Sequence, residues 1–139
     1  MSLRASVLVL LLTLVMECCG CGQGGGDTVH LAGKVTLDGK PLPAGARASI
    51  TFRPNDPKVK AVTMPIVDGK YDSPQTPKGA FKASFEINVP TGKKLMSDRT
   101  GEQYDETQNV VPPKYQQGIE LNVTDDNLAH DFNLEGGLE

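Results

Sequence analysis

The sequence predicts an all-β sandwich, and three observations point to it. Fifteen glycines and ten prolines in 139 residues place turn-forming residues at short intervals along the chain. Aromatic residues are few and tryptophan is absent, and no sustained helical periodicity compensates for the turns. Several segments instead alternate apolar and polar residues with a period of two, the signature of strands with one buried face. The length suits a single domain.

The elements follow in order. "VHLAGKVTL" predicts a strand from Val29 to Leu37, with Val35 and Leu37 on one face and Lys34 and Thr36 on the other. Asp38-Gly39 closes it with a turn, and Pro41 and Pro43 keep the connection irregular. "ARASITFRP" alternates Ala48, Ile50 and Phe52 against Ser49, Thr51 and Arg53. "KAVTMPIVDGKYDSP" reads as two short strands around Asp68-Gly69, a dipeptide that accepts the positive φ angles of a tight hairpin. Pro65 assigns the first of these strands to an edge or a bulge, because proline has no amide to donate.

"FKASFEINV" is the clearest strand, with Phe81, Ala83, Phe85, Ile87 and Val89 facing one way. "GIELNVT" and "AHDFNLE" close the series, the first placing Ile119, Leu121 and Val123 inward. The expected core is Val35, Leu37, Ile50, Phe52, Phe81, Phe85, Ile87, Leu121, Val123, Phe132 and Leu134. A chain of this size can bury about two thirds of its unfolded surface, so it needs no disulfide or metal to stay folded.

One stretch breaks the rhythm. Residues 90–113, "PTGKKLMSDRTGEQYDETQNVVPP", are polar and without sustained alternation. They read as a long loop, and loops beyond about 12–15 residues in a compact domain are commonly functional. Lys93, Lys94, Arg99 and Tyr104 are the candidate binding residues within it. Tyr104 is the one aromatic that strand alternation does not explain.

The N-terminus reads as an export signal. Arg4 precedes an apolar run from Val7 to Met16, interrupted only by Thr13. That run falls short of the ~20 apolar residues a membrane-crossing helix needs and matches a secretory signal peptide over residues 1–20. All three cysteines, Cys18, Cys19 and Cys21, follow directly. Cys18 and Cys21 have C-x-x-C spacing, but no βαβ pattern surrounds them and no fourth zinc ligand is within reach.

The segment resembles a bacterial lipoprotein signal, in which a cysteine behind a small residue is lipidated after cleavage. Gly20 precedes Cys21, which makes Cys21 the expected attachment site, with Cys18 and Cys19 as alternatives and an ordinary cleaved signal as the other reading. Residues 21–28 then form a Gly-rich tether to a domain spanning 29–139.

The motifs after the tether also resemble a known family. "GKVTLDGKPLPAG" at 33–45, "ITFRP", "VDGKY", "PKGAF" at 77–81 and "PPKY" at 112–115 resemble small bacterial lipoproteins carrying one carboxypeptidase regulatory-like, or transthyretin-like, domain. The resemblance implies a prealbumin-like sandwich of about seven strands and a non-catalytic role. The transthyretin-like hydrolases of the ureide pathway carry a first-strand histidine and a terminal Y-R-G-S. Here Val35 stands at the first position and the chain ends "NLEGGLE", so this activity is not expected.

Other chemistry finds little support. A net charge of −3 gives no footprint for nucleic acid. His30 and His130 lie on the first and last strands and would approach one another if those strands pair, but further metal ligands are not in view, so no metal or cofactor is expected. Asp125, Asp126 and Asn127 lack a calcium-loop pattern and read as a turn between the last two strands. "TGKK" at 91–94 is not a phosphate loop, since the required earlier glycine falls on Ile87. Asn122-Val123-Thr124 is a formal glycosylation sequon with its central residue facing the core. No nucleophile–base pair can be assembled from the strands.

The expectation is therefore a lipid-anchored, extracytoplasmic β-sandwich of the cell envelope, held at a membrane, with a non-catalytic binding or structural role. The alternative is a glycan- or peptide-binding accessory domain of a surface enzyme or transport system.

Overall fold

The computed structural model describes residues 27–136; the signal segment, Cys21 and most of the tether lie outside the described residues. The described residues form an all-β sandwich of eight strands: β1 (Thr28–Leu37), β2 (Arg47–Pro54), β3 (Val62–Ile66), β4 (Lys70–Pro77), β5 (Gly79–Met96), β6 (Gln103–Asn109), β7 (Ile119–Val123) and β8 (Phe132–Leu134). One helical turn, α1 (Pro113–Gln116), interrupts them. A small sheet has the order β4-β1-β8, and a larger one the order β3-β2-β5-β6, with β7 also pairing β5.

Both Asp-Gly dipeptides turn the chain as their chemistry demands. Asp38 and Gly39 have φ of 51° and 73°, and Asp68 and Gly69 have 51° and 70°. Reciprocal backbone hydrogen bonds close each turn, between Leu37 and Lys40 and between Val67 and Lys70. Pro65 sits on β3, an outer strand of its sheet, paired with Ser49.

The interior joins the sheets through aromatic rings. Phe81 meets Phe52 edge-on at 5.4 Å, Phe52 approaches Tyr71 at 6.0 Å, and Tyr71 approaches Phe132 at 5.8 Å. Phe132 packs against Phe85 at 5.0 Å, and Phe85 against Tyr115 at 6.2 Å. All four phenylalanines and two of the three tyrosines belong to this row, which crosses the sandwich twice. The expected core residues are buried except Leu121 and Val123, which pack only partly against the core from β7. Val29, Leu31, Ile66, Tyr71 and Val111 extend it.

The last two strands differ from expectation. Asp125–Asn127 do not form a tight turn between paired neighbours, because β7 and β8 belong to different sheets. The chain crosses from one to the other along β1: Asn127 donates to the His30 carbonyl, Ala32 donates to the Asn127 carbonyl, and His130 donates to the Ala32 carbonyl. β8 then pairs parallel to β1, Val35 opposite Phe132. Gly33 is required here because this crossing lies directly on it; a Cβ at Gly33 would sit 2.1 Å from the His130 carbonyl oxygen.

Tyr71 fixes the same crossing from inside, its phenol donating to the His130 carbonyl at 2.7 Å. Burial, reinforced by the nearby Asp131 carboxylate, raises its pKa above the ordinary tyrosine value. The unfolded chain therefore releases this proton first, so the contribution of Tyr71 to stability is constant below about pH 10 and is lost as pH rises beyond it. Tyr71→Phe should cost about 1–2 kcal/mol at neutral pH, because the His130 carbonyl loses its buried donor. It should also flatten the alkaline part of the stability profile, measured by urea unfolding from pH 7 to 11. An unchanged alkaline slope would refute the assignment.

Two boundaries also move. Thr28 already belongs to β1, opposite Pro77, and Lys78 donates to the Asp27 carbonyl, so the domain begins before Val29. The stretch 90–113 is not one long loop. β5 continues to Met96, β6 returns antiparallel beside it, and α1 begins at Pro113, giving eight strands rather than about seven.

Candidate functional site

The strand directions give the sandwich two poles. The described chain begins at Asp27 beside Lys78, the pole where β5 also starts. β5 runs the length of the body against β2, with Pro54 opposite Phe81 at this pole and Arg47 opposite Asn88 at the other. It then continues past the end of β2 with only β6 beside it. At about 3.3 Å per residue, the strand is roughly 60 Å long and its last third stands clear of the body. The result is a two-stranded arm pointing away from the pole where the chain enters.

The arm is held by polar pairs rather than a core. Lys94 and Asp105 lie opposite one another and form an ion pair at 2.6 Å. The Thr91 hydroxyl donates to the Glu106 carboxylate at 2.6 Å. Between the Pro90–Thr107 and Lys94–Asp105 pairs the register shifts, so that Thr91, Gly92 and Lys93 on β5 stand against Glu106 alone on β6. Gly92 takes φ of 82° within this bulge, which glycine accepts without strain. At the tip, Ser97 donates to the Glu102 carbonyl and Gly101 to the Ser97 carbonyl.

Three apolar side chains are exposed on this arm: Leu95 (39%), Met96 (61%) and Tyr104 (51%). Leu95 and Tyr104 are direct cross-strand partners. Alternation along β6 from Gln108, opposite half-buried Val89, puts them on the face continuous with the sandwich interior. In the body the other sheet covers that face; on the arm nothing among the described residues does.

The structure thus gathers Lys94 and Tyr104 onto paired strands, places Lys93 in the bulge and puts Arg99 at the tip. Clefts on the body, of about 480 Å³ around Asp27, Asn55, Asp56 and Lys78 and about 270 Å³ around Pro41–Ala46, involve none of them. Leu95 and Met96 were missed as candidates, although an adjacent apolar pair inside a polar run was a visible signal. Asp105 and Glu106 could be recognised only once the pairing was known.

The histidines do come near one crossing but serve different neighbours. The His30 ring contacts Asp72, its backbone N–H donates to Asp126, and the His130 ring packs on Phe132 at 4.9 Å. Among the described residues, no group of three or more His, Cys, Asp or Glu side chains is arranged to hold a metal ion. Comparison of the chain with protein-family models, characterised proteins and solved structures gives no match.

Proposed function

We propose that this protein is a lipid-anchored, extracytoplasmic module of the carboxypeptidase regulatory-like type that binds a partner of the cell envelope through its arm, without catalysis. One observation carries the binding role: the arm projects from the pole opposite the start of the domain and bears Leu95, Met96 and Tyr104 uncovered. Leu95 and Tyr104, opposite one another on the same face, form a contiguous exposed apolar pair, and such contiguity marks interaction surfaces more often than isolated residues do. A tether attached at Thr28 would leave this surface facing away from the membrane. The anchor rests on the sequence around Cys21, behind Gly20 and an apolar run too short to span a bilayer.

Metabolic labelling with a palmitate analogue tests the anchor. Label should be lost on Cys21→Ala and retained on Cys18→Ala; an unlabelled wild type, or loss only on Cys18→Ala, refutes Cys21. In the same cells, cross-linking should capture a partner that disappears when residues 91–108 are replaced by a two-residue turn. A partner captured equally by the shortened chain would remove the arm from the proposal.

A further inference from the structure

The arm has two open edges of very different character. On the β5 side, beyond the end of β2, the edge carries Pro90, the bulge at Thr91–Lys93, Gly92 and two lysines. Proline, bulges and lysine are the devices by which edge strands resist pairing. β6 carries none of them. It is seven residues long, regular on its own side, and among the described residues borders no strand but β5.

Hydrogen-bond alternation identifies which groups face outward. Val110 donates to the Ile87 carbonyl and Ser97 to the Glu102 carbonyl, so both ends of the hairpin fix the phase. By that phase, Tyr104 and Gln108 turn their peptide groups toward β5, while Gln103, Asp105 and Thr107 turn theirs to the open edge. The edge is also acidic. Glu102 and Glu106 lie on or beside β6 with no lysine or arginine ion-paired to either among the described residues, whereas Asp105 is matched by Lys94 of β5; β6 itself has no cation.

We propose that the open edge of β6 docks an extended segment of a partner protein, added antiparallel or parallel as a further strand, with basic residues beside Glu106 and an apolar residue beside Tyr104. This rests on the binding role assigned to the arm and specifies its partner. Main-chain bonds would supply affinity and the alternate side chains selectivity, as in other strand-addition complexes. The gain to the arm is plain, since a two-stranded hairpin is marginal in water and a third strand stabilises it. A second copy of the chain is a poorer occupant: symmetric pairing centred on Asp105 or Glu106 opposes identical carboxylates, and like charges directly opposite are destabilising.

The test uses the full-length chain and two capped heptapeptides, one of sequence Val-Lys-Val-Phe-Val-Lys-Val, which puts lysine and phenylalanine on one face, the other with glutamate replacing both lysines. At a peptide concentration about ten times its Kd, amide exchange at Gln103, Asp105 and Thr107 should slow roughly tenfold with the lysine peptide and not with the glutamate one. Glu106→Lys should weaken this preference. Thr107→Pro should abolish protection at Gln103 and Asp105; Thr107 faces Pro90 with its own amide outward, so the β5–β6 hydrogen bonds survive. No slowing with either peptide, equal slowing with both, or protection that grows with protein concentration alone overturns the proposal, the last by showing a second copy as occupant. If Thr107→Pro keeps the partner that arm replacement loses, strand docking fails while the binding role of the arm stands.

Discussion

Gly33→Ala should destabilise the domain by about 3 kcal/mol or more, although it adds a single methyl group. The new Cβ would lie 2.1 Å from the His130 carbonyl oxygen and 2.5 Å from its carbon. Both are backbone atoms, so no side chain can rotate out of the way, and the crossing segment must lift off β1. Three hydrogen bonds depend on that contact: His130 N–H to the Ala32 carbonyl at 2.9 Å, Lys34 N–H to Asp131 at 2.7 Å, and the Tyr71 phenol to His130 at 2.7 Å. For a domain near 100 residues the melting temperature should fall by roughly 15 °C, measured by thermal unfolding. Gly39→Ala is the matched control. Nothing lies within 4 Å of its added Cβ, so it bears only the cost of its positive φ, about 1–2 kcal/mol. Equal losses for the two variants would mean that the crossing is not seated on Gly33.

Phe52→Ala should have the other large effect, about 3–5 kcal/mol in denaturant unfolding. Phe52 is fully buried on β2 and touches Phe81 within its own sheet and Tyr71 across the sandwich. Truncation leaves a void where the row of rings passes between the sheets, with neighbours too constrained by their strands to fill it. Tyr104→Ala, removing the one aromatic outside that row, should change stability by no more than about 0.5 kcal/mol. A loss at Tyr104 comparable to that at Phe52 would show that the arm tip packs against the body.

These contrasts separate what local sequence can reveal from what only pairing reveals. The strand from Phe81 to Val89 was legible because one of its faces is buried, which forces alternation into the residues. The two Asp-Gly turns were legible because few other dipeptides tolerate consecutive positive φ. β6 was opaque for the opposite reason. Both faces of the arm meet solvent, so burial imposes no period on "QYDETQN", and the bulge at Thr91–Lys93 displaces the phase of β5 just where it leaves the body. The candidates Lys93, Lys94, Arg99 and Tyr104 fell within the right segment, chosen for its polarity and length. The acidic edge could not be seen, since it depends on which peptide groups β5 leaves unmatched. The Gly33 contact was equally hidden, spanning almost a hundred residues of sequence.

β5 has a further consequence as a mechanical element. It is one continuous strand that begins beside the point where the chain enters the domain and ends at the arm tip. A pull applied between Thr28 and that tip runs along the strands rather than across them. β1 would be loaded in shear against both β4 and β8, and β5 against β2, so many ladder hydrogen bonds share the tension at once instead of opening one after another. Such a pull should therefore meet more resistance along the strands than one applied across them.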